Sequence, residues 1–376
     1  MKILIFNWQD IRNPQAGGAE VHLHQIFSRI ARMGHSVTLF CSSFPGGKNE
    51  ETVDGIRIIR EGGRTLFNLH VPLRYLRQFR KEAFDIVVDD FNKVPFFTPL
   101  FVRKPLWYIV HHLFGTSIFR EVNPLIGLPF YLVEHAGIVA ARIFHIPLMV
   151  VSPSTRDEML GLGFPPDRLE IVYNCVDHDL HRPDPSQRST TPVIASFGRL
   201  KKYKSVDHLL RAVALLKNRI PGLKVLVIGE GDYRPSLEAL SRELQISDMV
   251  QFTGFVDEHE KVRLLQESWF AVNTSPKEGW GLTVIESNAC GTPVLASNVP
   301  GLRDAINDGE TGMLYEYGNI SQLAEKIAVL VQNQTLRLKL AEQAYTWSRK
   351  FDWDLTAEKA LGLLENRVKK SESRRP

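Results

Sequence analysis

The chain has 376 residues, 44% of them apolar, and a formal net charge of +4. That length and apolar share suffice for two domains with sizeable cores, and so small a charge argues against a general nucleic-acid binder. Cys41, Cys175 and Cys290 share no metal-ligand or disulfide spacing, which points to a reducing compartment, and the apolar run in "MKILIFNWQD" is too short for a secretory leader.

In chain order, "KILIF" reads as a buried strand, and Leu23, Ile26, Phe27 and Ile30 follow at helical spacing, with Gly34 able to end that helix. "SVTLFCS", "FDIVVDD", "PLWYIVH" and "PLMVVS" read as further strands. A second series starts at "VIASFGRL" and continues through "KVLVIGEG", "VQFTGFV", "FAVNTS" and "TPVLAS", again alternating with helices. Such alternation predicts parallel sheets covered on both faces. Between the two series lies the polar, proline-rich "DHDLHRPDPSQRSTTP", which reads as a linker. Two α/β halves so joined predict a cleft, the usual place for a ligand. No run of about 18 uncharged apolar residues occurs, so no membrane-spanning helix is expected.

Four stretches carry candidate chemistry. Gly17 and Gly18 stand between a strand and a helix start, where backbone N–H groups can approach an anion; the same glycines would equally serve a tight turn. Arg199 ends a strand and Lys204 precedes a helix, two cations that suit a diphosphate, although a solvated basic turn would look similar. In "KEGWGLTVIES", Glu278 falls on a loop and Glu286 about one turn inside the next helix, whose free N–H groups suit phosphate while the carboxylates suit sugar hydroxyls. The bland alternative makes Glu278 a helix-start acid and Glu286 a surface residue. His111 and His112 end an apolar strand at the edge where ligands of such sheets bind.

Taken in order, these motifs resemble glycosyltransferase family 4: Gly-Gly-Ala-Glu after the first strand, a mid-domain histidine, Gly-Arg-Leu…Lys, then two glutamates eight apart. "GEGDY", "FTGFV", "NACGTPVLAS" and "DGETGMLY" add to the resemblance, which spans essentially the whole chain. It implies the GT-B fold, two Rossmann-like α/β domains whose parallel sheets face across a cleft. The first domain would run over 1–176, with the helix of 352–376 crossing back to it; 177–192 would be the linker and 193–351 the donor domain. The resemblance implies transfer, with retention, of a hexosyl group from guanosine-diphosphate mannose or a uridine-diphosphate hexose to a hydroxyl acceptor.

By the same resemblance, Arg199 and Lys204 hold the diphosphate, Glu278 faces the donor sugar, and the backbone around Gly279, Trp280, Gly281, Leu282 and Thr283 assists. Glu286 faces the ribose, donor selection would rest on backbone near Phe255 and Val256, Gly18 lies near the donor phosphate and the acceptor entrance, and His111 lies near the reacting centre. His111 is chosen over His112 because it follows "YIV" directly and neighbouring strand residues point to opposite faces. Domain closure is expected to exclude water. No cofactor or metal is expected; "DHD" (177–179) and "DWD" (352–354) read as structural.

This chain departs from the family pattern in having Ser205 after Lys204, Cys175 after Asn174, and Trp280 where a phenylalanine is common. Competing readings are a nucleotide-sugar epimerase of the same fold, a nicotinamide oxidoreductase resting on "GEGD" (229–232), and a non-catalytic binding module. The run of Arg57, Arg60, Arg64, Arg74, Arg77, Arg80 and Lys81, interleaved with leucines, and the apolar "NPLIGLPFYLVEHAGIVAARIF" raise the expectation of a lipid-linked or glycan acceptor and of peripheral contact at the inner face of a membrane, in an otherwise cytoplasmic protein. The plainer reading is a solvated helix followed by an ordinary core helix.

Overall fold

The computed structural model describes residues 1–63, 66–91, 94–115, 118–121 and 123–373. The chain forms two compact units, Met1–Asn174 with Trp353–Pro376, and Cys175–Asp352.

In the first unit the strands are β1 (Lys2–Phe6), β2 (Ser36–Cys41), β3 (Glu50–Val53), β4 (Ile56–Arg60), β5 (Ile86–Asp90), β6 (Leu106–Val110), β7 (Leu148–Val150) and β8 (Leu169–Ile171). They lie in the order β3-β4-β2-β1-β5-β6-β7-β8. Because strand side chains alternate, Leu4 and Phe6 of β1 join the core on one face, with Phe67, Val71 and Tyr75 of helix Phe67–Arg77. Ile3 and Ile5 are equally buried on the other face. Helix Gly18–Arg32 buries Leu23, Ile26, Phe27 and Ile30, the four residues at helical spacing. The last helix, Trp353–Glu372, packs beside it: Arg29 Nε donates to Asp354 Oδ1 at 2.5 Å, and the rings of Trp353 and His22 lie 6.1 Å apart. Asp354 of "DWD" thus serves an ion pair, while Asp177 of "DHD" accepts from the N–H groups of Asp179 and Leu180 and closes a turn.

Three features correct the expectation from sequence. β3 pairs antiparallel with β4, so this sheet is not purely parallel. Asp54 and Gly55, both with positive φ, make the two-residue turn that matches strand twist in a hairpin. The basic run is less free than its composition implies. Arg60 is buried and bidentate on Asp10, with Glu51 as a further partner; Arg57 pairs with Glu50 and Arg74 with Glu61. Arg64 lies outside the described residues. Finally, helix Pro124–Ile143 is long and apolar enough to cross a membrane by length and composition, although Gly127, Glu134, Gly137, Ile138 and Ala141 are buried against the domain.

The second unit holds β9 (Val193–Phe197), β10 (Lys224–Ile228), β11 (Val250–Gly254), β12 (Phe270–Asn273), β13 (Val294–Ser297) and β14 (Gly312–Tyr315), all parallel, in the order β11-β10-β9-β12-β13-β14. Its core takes Leu209, Leu210, Val213 and Leu216 from helix Val206–Leu216 and Leu323 and Ile327 from helix Ile320–Gln332. Residues 177–192 belong to this unit. Gln266 donates to the Arg182 carbonyl, Trp269 Nε1 to the Ser189 carbonyl, and Arg188 to the Gly291 carbonyl.

One buried acid leaves a mark on stability. Asp89, at the end of β5, accepts from Thr98 Oγ1 at 2.5 Å, and Thr98 is 3.0 Å from the Tyr108 hydroxyl. Burial pushes its pKa up to about 7, against the help of Thr98, and the adjacent Asp90 adds to the rise. An unfolded aspartate ionises near pH 3.9, so between about 4 and 7 the native state holds the extra proton and stability falls as pH rises. Asp89→Asn is expected to flatten the drop in unfolding free energy between pH 5 and 7 by about 2 kcal/mol, read by urea unfolding at both pH values. Parallel profiles for the variant and the parent would remove Asp89 as the cause.

Candidate active site

Parallel strands deliver their loops to one edge. In the first unit, β1 leads to the glycine loop, β5 ends in Asp90, and β6 runs into His111; β1 pairs with β5 and β5 with β6, so these ends are neighbours. Gly17 caps helix Gly18–Arg32, and its N–H donates to Glu20 Oε2 at 2.7 Å. Burial raises the pKa of Glu20, and Asp90 adds to the rise. His111 Nε2 lies 3.2 Å from Asp90 Oδ1. Burial works against charge on that ring, yet Asp90 outweighs it and holds the His111 pKa above the ordinary imidazole value. His22, edge-on to His111 at 5.1 Å, is driven the other way by burial and by the neighbouring ring, to well below its usual value. The cluster therefore contains one imidazole disposed to be cationic and one kept neutral. His112 is exposed and lies against Phe114, 4.8 Å between ring centroids.

In the second unit, β9 neighbours β10 on one side and β12 on the other, so the strand order reverses at β9. Such a switch point opens a crevice at the carboxyl ends of the strands. Arg199 and Lys204 follow β9, and Glu278 follows β12. Lys204 Nζ donates to Glu278 Oε1 at 2.5 Å. Burial opposes the Lys204 charge, but the Glu278 carboxylate overcomes it and raises the pKa. Thr274 Oγ1 donates to the Lys204 carbonyl at 3.1 Å, tying the two loops together by backbone as well. Arg199 is exposed and has no ion pair among the described residues. Its charge bears on Lys204.

Two glycine contacts fix these loops. A Cβ on Gly231 would lie 2.1 Å from the Leu200 carbonyl oxygen, and one on Gly301 would lie 2.2 Å from that of Glu278. The "GEGD" turn is therefore committed to supporting the Arg199 loop: Leu200 N donates to Glu230 O at 2.8 Å.

Glu286, within helix Leu282–Ala289, accepts at Oε1 from Lys261 Nζ at 3.0 Å. Lys261, kept charged by Glu286 and Glu258 against the effect of burial, was not singled out from sequence. Its signal was the i,i+3 spacing from Glu258 on helix Glu258–Glu267. Asp90 and Thr274 were likewise missed, and Glu20 was noted only as the last residue of the Gly-Gly-Ala-Glu motif. His181, Glu258 and Glu286 lie close enough together to suit a cation, but the Lys261 ammonium already occupies that charge position.

Trp280 is buried edge-on to Phe351, with centroids 5.0 Å apart, and Thr283 Oγ1 accepts from Asn273 at 3.0 Å. Gly281 caps helix Leu282–Ala289, and a Cβ there would sit 2.8 Å from Ala305 Cβ. Phe255, just past β11, is 83% exposed and Val256 is half-buried. Gly18 and His111 lie in the first unit, while Arg199, Lys204, Glu278, Gly279 and Glu286 lie in the second.

Comparison with known proteins bears on the fold and the class. Residues 177–347 match the model "Glycosyl transferases group 1" and residues 16–180 match "Glycosyltransferase Family 4". The chain carries the domains of group 1 and family 4 glycosyltransferases and has the GT-B fold. It is 30% identical over 243 residues to a D-inositol 3-phosphate glycosyltransferase of Corynebacterium aurimucosum, covering 60% of this chain and 56% of that protein. The chain spans about half the length of the curated relatives it matches. Among solved structures it is similar to a sucrose-phosphate synthase from Thermosynechococcus elongatus, with TM-score 0.83 and 21% identity over 98% of this chain and 99% of that one. It is also similar to HepE from Anabaena in complex with UDP-glucose, with TM-score 0.77 and 18% identity over 97% and 100% of the two chains.

Ser205 shows what the departure from Lys-Gly costs. Its φ is 53° and ψ 36°, left-handed, while its hydroxyl lies 3.0 Å from that of Tyr317. A side chain in that conformation costs about 1 kcal/mol relative to glycine. Ser205→Gly is expected to be more stable than Ser205→Ala by about that amount in chemical denaturation, since both lose the hydroxyl and only alanine keeps the strain. Equal stability would mean the loop relaxes out of this conformation.

Proposed function

We propose that this chain is a retaining glycosyltransferase that moves a hexosyl group from a nucleotide-diphospho-sugar to a hydroxyl acceptor. The observation that carries the reading is the meeting of Arg199, Lys204 and Glu278 at the β9/β12 switch point, where cations and a hydroxyl-accepting carboxylate fall within reach of one ligand. On this reading the diphosphate shares Lys204 with Glu278 and takes Arg199, which has no competing ion pair among the described residues. Glu278 Oε2 then reads the donor sugar. Lys261 holds one Glu286 oxygen and leaves the other for the ribose hydroxyls. Helix Leu282–Ala289 adds N–H donors at its start. His111, disposed to be cationic through Asp90, is the charged donor that the first unit would bring to the reaction.

The acceptor hydroxyl would form its bond to the anomeric carbon as the sugar–phosphate bond breaks, passing its proton to the departing phosphate oxygen on the same face. Two cations at the phosphate make a metal unnecessary in this scheme. The HepE complex with UDP-glucose supports a uridine-diphosphate donor, and guanosine-diphosphate mannose remains the alternative. The relative named for inositol 3-phosphate supports a small polyol or glycan acceptor. Three buried cysteines, none of them in a disulfide among the described residues, support a cytoplasmic setting.

Thermal-shift screening against nucleotide sugars tests the donor class, because a ligand of the native state raises the melting temperature; no shift with any of them would overturn the reading. Arg199→Ala and Lys204→Ala are each expected to lower turnover by about 10²–10³-fold with folding intact. Near-normal kinetics in either would remove it from the diphosphate site. Glu278→Gln should impair transfer and change selectivity among donor sugars, whereas Glu286→Gln should weaken binding of the free nucleotide as well. Identical losses in both variants would deny the division of roles. Turnover of donor without any acceptor would favour the epimerase.

A further inference from the structure

Helix Phe67–Arg77 has two unlike faces. Phe67, Val71 and Tyr75 enter the core, while Leu66, Leu69, Leu73 and Leu76 form one stripe, 46–62% exposed. Helix Pro124–Ile143 repeats the pattern more strongly. Its buried stripe faces the domain, and Leu125, Ile126, Leu128, Phe130 and Leu132 face solvent, Leu125 at 83%. The one acid on this helix, Glu134, is buried and accepts from the N–H groups of Phe114 and Gly115, so no carboxylate interrupts the exposed face.

The two helices are neighbours on one side of the first sheet. Their buried residues share a core cluster. Pro95 links them: its carbonyl accepts from Asn68 Nδ2 at 3.1 Å, and a Cβ on Gly137 would lie 2.3 Å from its ring. At the C-terminal end of the leucine stripe Arg77, Arg80 and Lys81 are exposed, as is Arg103, whose N–H meets the Tyr75 hydroxyl of the same helix, and none of the four has an ion pair among the described residues. This contrasts with Arg57, Arg60 and Arg74, each of which is paired.

Exposed apolar area of this extent on a folded domain marks an interaction surface. Unpaired cations at its border and no exposed acid on the longer helix fit an anionic partner. We propose that this two-helix face seats on an anionic phospholipid bilayer, with the leucines entering the headgroup–acyl boundary and Arg77, Arg80, Lys81 and Arg103 meeting lipid phosphates. The charge pattern favours a bilayer over a second copy of the chain, since two such faces would bring like charges together. The proposal concerns the first unit alone and does not rest on the donor reading.

The test is co-sedimentation of the full chain with phosphatidylcholine vesicles, with and without phosphatidylglycerol, at low and high salt. Binding is expected only to the anionic vesicles and is expected to weaken with salt. Each surface cation is worth about five-fold in affinity. The triple variant Arg77→Gln, Arg80→Gln, Lys81→Gln should therefore lose on the order of 100-fold. Leu69→Ser with Leu73→Ser and Leu76→Ser should abolish binding while the melting temperature and the nucleotide-induced thermal shift stay unchanged. No sedimentation with either vesicle, equal binding to both, or wild-type binding by the leucine variant would overturn the proposal. So would a concentration-dependent dimer, seen by analytical ultracentrifugation and lost in the leucine variant, which would assign the face to a second copy.

Discussion

All the chemistry-bearing side chains depend on one constraint: parallel strands that enter a sheet from the same side must leave it at the same edge. Glu20 and His111 are 91 positions apart in the sequence, and Lys204 and Glu278 are 74 apart, yet each pair is brought into electrostatic reach by strand ends. Neither pair is held by local structure. The register of β1 with β5 and of β5 with β6 sets the first, and the placement of β12 beside β9 sets the second. A sheet buried on both faces is stiff because every strand residue is packed. Its edge can therefore hold charged groups at distances that exposed loops would not keep.

The two units use that edge differently. In the first, the charged groups lie largely out of solvent and set each other's protonation, with Asp90 drawing His111 toward the cation while His22 stays neutral. In the second, acids are matched with ammonium groups: Glu278 with Lys204, Glu286 with Lys261. Matched pairs of this kind offset the desolvation that each charge would suffer alone. They leave Arg199 and Lys202 as exposed cations of the β9 loop.

The sequence made the framework legible because strands buried on both faces read as continuous apolar runs, and Leu23, Ile26, Phe27 and Ile30 mark a helix face directly. The hairpin at Asp54-Gly55 was also written there, as an Asp-Gly pair between Val53 and Ile56, but the expected alternation of strand and helix left no room for it. The site was legible where a motif fixes a position, as with Arg199, Lys204, Glu278 and Glu286. Asp90, Lys261 and Thr274 were not, because their importance lies in what faces them across the fold. Nor could composition separate Arg60, buried on Asp10, from Arg77, which is exposed: both read simply as arginine in a basic run.

The glycines at 231 and 301 act by what they lack. With no methyl group, the turn after β10 lies directly on the Leu200 carbonyl, and Gly301 lies directly on that of Glu278. The loops bearing Arg199 and Glu278 are thus seated backbone on backbone, where no exchange of side chains can adjust them gradually. Phe255, by contrast, stands in solvent with little packed around it. The scaffold is thereby divided into a part that tolerates no inheritable drift and a part that tolerates a great deal. Descendants of this chain could change the groups displayed beside these two loops many times over while the loops themselves were passed on intact.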